Sequence, residues 1–243
     1  MSSRQPAPRP VQSGRGLVFV GAAVVVAVVV AVLFLRSQGG TSTASDEVRN
    51  DGYGTASAPV TVEGAVVRVG VADPATTIEL WEDPACPVCA ALERTHGQEL
   101  AQAVDEGRVA VRYRSLDFLN SSSASGDYSS RAAGALLCVA QDGDGAAYPA
   151  FHDALYANQP QERGDTDLDD AALADLARGA GASDAGVACV RDGARTAEAA
   201  AAAAAGEQEL ATALGTDSIG TPTVLQDGQQ VNLQDPEWVA NLG

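Results

Sequence analysis

Trp81-Glu82-Asp83-Pro84-Ala85-Cys86-Pro87-Val88-Cys89 is the stretch that decides how this 243-residue chain reads. A C-x-x-C stands where an apolar run, Thr76 to Trp81, gives way to a helix-compatible one, Ala90 to Val104. The first N–H groups of a helix lack intrahelical partners and carry partial positive charge. A thiolate at Cys86 would sit on them, becoming a good leaving group and a readily exchanged sulfur. The motif points to thiol–disulfide chemistry at Cys86 and Cys89. A bare C-x-x-C can also be half of a zinc site, but zinc normally takes four ligands. The other cysteines, Cys138 and Cys189, are far apart, and the histidines are His96 and His152. No second ligand pair stands at the required spacing, so no metal is expected.

Working outward, the order of elements is strand-first. Val60 to Val71 alternates and reads as one strand; Pro74 breaks it and Thr76–Trp81 follows. The helix bearing the cysteines extends to about Glu106, where Gly107 stops it. Arg108 to Leu116 alternates apolar with polar residues, a strand by period. Strand, helix and strand make a β-α-β unit with a right-handed crossover. From Tyr128 the pattern turns helical, with candidate helices at 129–141, 148–157, 168–178, 185–191 and 194–214. Strand character returns at Thr221-Pro222-Thr223-Val224-Leu225. Asp227-Gly228 signals a hairpin, Gln229 to Leu233 its partner strand, and Pro236 to Leu242 a last short helix. A helical block therefore interrupts an α/β frame.

Leu17 to Leu35 is an unbroken run of apolar or glycine residues. At 1.5 Å per residue it would cross roughly 28 Å, close to the hydrocarbon thickness of a bilayer. Arg4, Arg9 and Arg15 precede it, which keeps the N-terminus cytoplasmic by the positive-inside rule. A cleaved signal peptide is the rival reading, but its apolar core is shorter and ends in a small-x-small site. Here the run is longer and ends in Leu33-Phe34-Leu35-Arg36, a poor cleavage context, and the cleavable Thr43-Ala44-Ser45 lies well beyond it. The expected plan is a cytoplasmic tail (1–16), a transmembrane anchor (17–35) in the lipid bilayer, a flexible Ser/Thr/Gly/Asp-rich linker (36–59) and an extracytoplasmic domain (60–243). Both readings place the cysteines where disulfides persist.

The basic residues are all arginine, and residues 1–36 hold four of them with no acid. Formal net charge is −17. Nucleic-acid phosphates would be repelled by the acidic remainder, so that partner class is excluded. In an oxidising compartment two leftover cysteines are more often paired than free. Cys138 and Cys189 are expected to form a structural disulfide; buried free thiols or a second redox pair are the alternatives.

Three features together resemble the DsbA-like, membrane-anchored thiol–disulfide oxidoreductases of actinobacterial type. They are Trp81-x-Asp83-x-x-Cys86-Pro87-Val88-Cys89, Gly220-Thr221-Pro222-Thr223 before a late hairpin, and a helical insertion containing Tyr128-Ser129-Ser130-Arg131-Ala132-Ala133 and Pro149-Ala150-Phe151-His152. The resemblance covers about residues 60–243. It implies an α/β, thioredoxin-like fold with four or five strands. A helical subdomain, at about 120–214, would be inserted over the active site, and one transmembrane helix would precede the domain. It also implies a cis Thr221–Pro222 bond facing the cysteines. Pro87 and Val88 would tune them, and the Thr221 backbone would hold an extended peptide. No cofactor is implied beyond the cysteine pair. The implied partners are exported proteins with free cysteines and a membrane redox partner, DsbB-like or vitamin K epoxide reductase-like. A monomer is expected.

Two departures matter. Family members often carry an acid six residues before the first cysteine; here Leu80 stands there, with Glu79, Glu82 and Asp83 nearby, which leaves proton transfer to Cys89 unassigned. Strong oxidants often place His where Val88 stands, so a weaker oxidant than those is expected. His96 reads as a surface or packing residue. The alternatives on the same sequence are a reductase or isomerase at the same site, and a non-enzymatic module with a structural Cys86–Cys89 bridge.

Overall fold

Valine-rich alternation at the start of the domain makes strands because β-branched side chains pack well on a pleated surface. The computed structural model describes residues 58–141, 146–161 and 163–242. The expected tail, anchor and nearly all of the linker lie outside the described residues. Among the described residues, no helix is long and apolar enough to cross a membrane.

The run expected as one strand from Val60 to Val71 is two: β1 (Val60–Glu63) and β2 (Val66–Val69). Gly64, at φ +63°, turns the chain, and Val60 pairs with Val69 and Glu63 with Val66. The valine period continues through the turn, so periodicity alone hides the break. β3 (Thr76–Glu82) feeds α1 (Pro87–Asp105), and β4 (Val109–Ser115) returns parallel to β3, with Leu80 opposite Tyr113. After the helical block come β5 (Thr223–Gln226) and the short β6 (Gln229–Gln230). The sheet has six strands, one or two more than expected, in the order β1-β2-β4-β3-β5-β6. The parallel β3–β4 pair lies at its centre and all other pairings are antiparallel.

Between β4 and β5 lie α2 (Tyr128–Ala140), α3 (Ala147–Ala157), α4 (Asp170–Gly179), α5 (Asp184–Arg191) and α6 (Thr196–Leu214). Helix α2 is buried on nearly every side, as expected of a helix that is apolar all round. A Cβ on its Gly134 would stand 2.7 Å from the backbone nitrogen of Thr196, so only glycine lets the start of α6 approach so closely. Cys138 of α2 and Cys189 of α5 are joined by a disulfide. Asp169 and Ser183 cap α4 and α5 by accepting from the N–H of Ala172 and Gly186, which gives both short helices a defined start.

Pro236 to Leu242 is not the helix expected. Its bonds mix spans, Trp238 N to Asp235 O at 3.2 Å and Asn241 N to Glu237 O at 3.0 Å. A stretch this short cannot repay helix nucleation, but it still buries Trp238, Val239 and Leu242. The chain thus has a thioredoxin-like α/β frame with a helical insertion, and both parts meet at the end of β3.

Candidate active site

Cys86 is the residue before helix α1, with extended backbone (φ −76°, ψ 116°), and Pro87 takes the first helical position. Proline suits that position because its missing N–H would be unpaired there anyway. The turn is held by Asp83. Its carbonyl accepts from Cys86 N at 2.8 Å, and its carboxyl accepts from Ala85 N (2.8 Å), Leu119 N (2.9 Å) and Ser129 Oγ (2.6 Å). Ser129 belongs to α2, so one buried carboxyl ties the cysteine turn to the insertion. A second tie is Gln159, whose Nε2 donates to the carbonyls of Pro84 (2.8 Å) and Cys86 (2.9 Å). Burial pushes the Asp83 carboxyl up to about 6, against those hydrogen bonds.

Both thiols are reduced, and the two differ sharply. The Cys86 thiol is lowered to about 5. Its chief cause is a hydrogen bond from the Cys89 thiol, with further help from Thr221 and the N–H groups of Val88 and Cys89. Burial opposes the shift. Burial, followed by the bond to Cys86 and the charge of Glu82, drives Cys89 far above the ordinary thiol range. One sulfur is therefore a thiolate at neutral pH and the other a thiol. Cys86 is only 5% exposed, and Cys89 is fully buried.

The chain brings Thr221 and Pro222 to this place from the far side of the insertion. Cys86 Sγ lies 3.4 Å from the Thr221 carbonyl oxygen, and the Thr221–Pro222 bond is cis. An open groove runs past it, lined by Val88, Leu92, His96, Thr221, Pro222 and Leu233 among others, with about 400 Å³ of free volume. Val88 is the one exposed large hydrophobic residue among the described residues. His96 packs edge-on to Trp238 at 5.7 Å and lines this groove. Cys86, Cys89, Pro87, Val88, Thr221 and Pro222 thus come together, while Cys138 and Cys189 lie within the insertion.

Sequence reading left a further group without a role. Glu82 ends β3, Glu93 sits on α1 and His152 on α3, and all three are at most 6% exposed. His152 Nε2 is 2.9 Å from Glu82 Oε2. Burial pushes both Glu82 and Glu93 up to about 8, and each carboxyl's interaction with the other matters next. Burial also holds the His152 imidazole below its ordinary value. Glu82 Oε1 and Glu93 Oε2 have no donor among the described residues; a proton kept on one carboxyl supplies the missing hydrogen bond. Each side chain offers one possible metal ligand atom, all within 4.8 Å. The sequence signals were an acid at the end of the strand and a histidine in an apolar helix, but nothing in the spacing joins positions 82, 93 and 152.

A sequence model described as thioredoxin matches residues 54–242. The chain is 38% identical over 178 residues to the serine/threonine-protein kinase PknE of Mycobacterium tuberculosis, covering 72% of this chain and 31% of that protein. It thus spans about a third of the length of the curated relatives it matches. Among solved structures, it resembles MdbA, a thiol-disulfide oxidoreductase from Corynebacterium diphtheriae. That match has a TM-score of 0.71 and 27% identity, over 82% of this chain and all of that one. It also resembles reduced DsbA from M. tuberculosis, with a TM-score of 0.59 and 31% identity over 74% of this chain and 94% of that one.

Proposed function

This chain belongs to the thioredoxin family and is a protein disulfide oxidoreductase, and we propose that it works as an oxidant, inserting disulfides into exported proteins. The observation that carries the reading is the split between the two thiols, Cys86 lowered to about 5 and Cys89 held as a buried thiol. A thiolate stabilised at Cys86 favours the reduced enzyme, and so makes its disulfide a stronger acceptor of electrons.

In this mechanism an extended client segment enters the groove beside Val88 and pairs with the backbone around Thr221. A client thiolate attacks Cys86 Sγ, the Cys86–Cys89 bond breaks, and a client–Cys86 disulfide forms. Cys89 leaves and must gain a proton, because its burial does not tolerate a thiolate. A second client thiolate attacks the client sulfur of the mixed disulfide, and Cys86 leaves as a thiolate. The client loses two electrons and the cysteine pair gains them. A membrane partner, DsbB-like or vitamin K epoxide reductase-like, then removes the electrons. The apolar run at residues 17–35 would tether domain 60–243 outside the cytoplasm, beyond a linker at 36–59. Tethering raises the concentration of the enzyme near a membrane partner. Cys138–Cys189 takes a structural role, and no cofactor is needed beyond Cys86 and Cys89.

The test uses the oxidised full-length chain and a reduced, unfolded client with two cysteines. One client disulfide should form per enzyme, leaving the enzyme as Cys86–Cys89 dithiol. If the reduced chain instead reduces client disulfides faster than the oxidised chain makes them, the reading fails.

A further inference from the structure

We propose that Gln159, just past the end of α3, is a positioning residue for Cys86: its side-chain amide latches the helical insertion onto the cysteine turn and controls how the Cys86 sulfur is aimed and reached. The role requires only disulfide exchange at Cys86, whichever way electrons flow.

The backbone groups of the turn show why this side chain matters. Pro84 and Pro87 have no N–H to offer. The N–H groups of Ala85 and Cys86 both go to Asp83, one to its carboxyl and one to its carbonyl, each at 2.8 Å. The carbonyls of Pro84 and Cys86 accept from Gln159 Nε2 at 2.8 and 2.9 Å. Both partners are acceptors, so the amide nitrogen and not its oxygen must face the turn. The Cys86 carbonyl also takes the Ala90 N–H at 3.1 Å, in the first turn of α1. Asp83 thus holds the turn by its donors, and Gln159 holds it by its acceptors at the peptide group where the helix starts.

Local sequence puts Gln159 there. Asn158 closes α3, its N–H and Nδ2 both donating to the Ala154 carbonyl at 3.0 and 2.8 Å. Pro160 follows Gln159, and a residue before proline is kept out of the helical region. The chain therefore leaves α3 and crosses the cysteine turn, where Pro160 and Gln161 share a crevice of about 10 Å³ with Ala85 and Leu119. Farther on, Arg163 N donates to the Ser122 carbonyl at 3.0 Å, so the crossing is tied at both ends.

Two consequences follow for the sulfur. Cys86 keeps extended backbone before α1 (φ −76°, ψ 116°), and in that pose its thiolate meets the N–H groups of Val88 and Cys89. If the two carbonyls were released the pose would drift, and a drifting sulfur loses both its donors and its alignment for exchange. Cys86 is also only 5% exposed, with the Thr221 carbonyl 3.4 Å from Sγ. A client sulfur must enter this enclosure. The Gln159 latch can open without unfolding an element, because it consists of two hydrogen bonds from one loop side chain.

The test compares the full-length chain with Gln159→Ala and Gln159→Glu, each checked to be folded. Glu keeps the length of the side chain but has no proton to donate to a carbonyl at neutral pH. Alkylation of reduced Cys86 by iodoacetamide, followed against pH by peptide mapping, reads the thiolate midpoint and its limiting rate. Single-turnover oxidation of a two-cysteine peptide reads positioning. Both variants should move the midpoint upward from about 5 and speed limiting alkylation by more than the higher basicity of the sulfur explains. Both should slow peptide oxidation by about tenfold. The opposed changes mark a latch, since a tie that only stabilises the fold moves neither the midpoint nor the two rates apart. In the unaltered protein, the Gln159 side-chain NH₂ resonances should shift when a peptide is joined to Cys86 by a disulfide, so the answer does not depend on a variant folding. An unmoved midpoint with both rates unchanged or falling together in a folded Gln159→Ala protein would overturn the proposal. So would NH₂ resonances that stay in place on peptide capture. If the unaltered chain exchanged no disulfide with the peptide, the exchange reading itself would fail, while alkylation would still read the latch.

Discussion

Cys86 draws its reactivity from its position before a helix and from its neighbour. Its sulfur faces the N–H groups of Val88 and Cys89 and accepts a hydrogen bond from the Cys89 thiol. Because that thiol is the largest cause, Cys89→Ala should move the Cys86 midpoint upward. Thiolate absorbance in the reduced protein should titrate near pH 5 before the change and clearly higher after it; an unmoved midpoint would assign the shift to Thr221 and the helix start instead. A thiol pKa lowered on folding stabilises the reduced protein fully above the ordinary thiol value of 9.0, and that stability is lost as pH falls through about 5. At this scale the C-x-x-C and the Thr221–Pro222 pair were legible in the sequence because each is a local motif. Glu93 and His152 were not, because their group forms only through contacts across β3, α1 and α3. Nor was the burial of Cys86, which the Gln159 tie and the Thr221 loop impose from distant segments.

Among the elements, the insertion is held by the Cys138–Cys189 bridge between α2 and α5. The two residues are separated by 51 positions, and chain entropy assigns a loop of that size about 4 kcal/mol. A Cys138→Ala/Cys189→Ala double variant should lower the free energy of unfolding by a few kcal/mol while retaining disulfide exchange at Cys86. Loss of exchange at a temperature where the variant stays folded would instead make the second pair part of the redox path. Helices α2 to α6 were readable from composition and breaker residues because each buries a continuous face. The β1–β2 hairpin was missed because valines run on both sides of Gly64. The terminal helix was over-read because an apolar stretch around Trp238 fills the core equally well as a series of turns.

For the molecule as a whole, the sequence foretold an α/β frame interrupted by helices, and the strand–helix–strand order alone carried most of that. What it could not supply was how the insertion closes on the frame through Asp83–Ser129, Gln159 and the Glu82–His152 pair. These contacts bring a thiolate, a buried thiol and the buried Glu82, Glu93 and His152 side chains to one junction. The formal charge of −17 favours solubility of the domain and repels polyanions. In the proposed function this junction makes an oxidant. The reduction potential of Cys86–Cys89 in glutathione buffers, read by alkylation and peptide mapping so that Cys138–Cys189 is followed separately, tests it most directly. A value between about −120 and −200 mV is predicted, and a value near about −270 mV, typical of a reductant, would contradict the account.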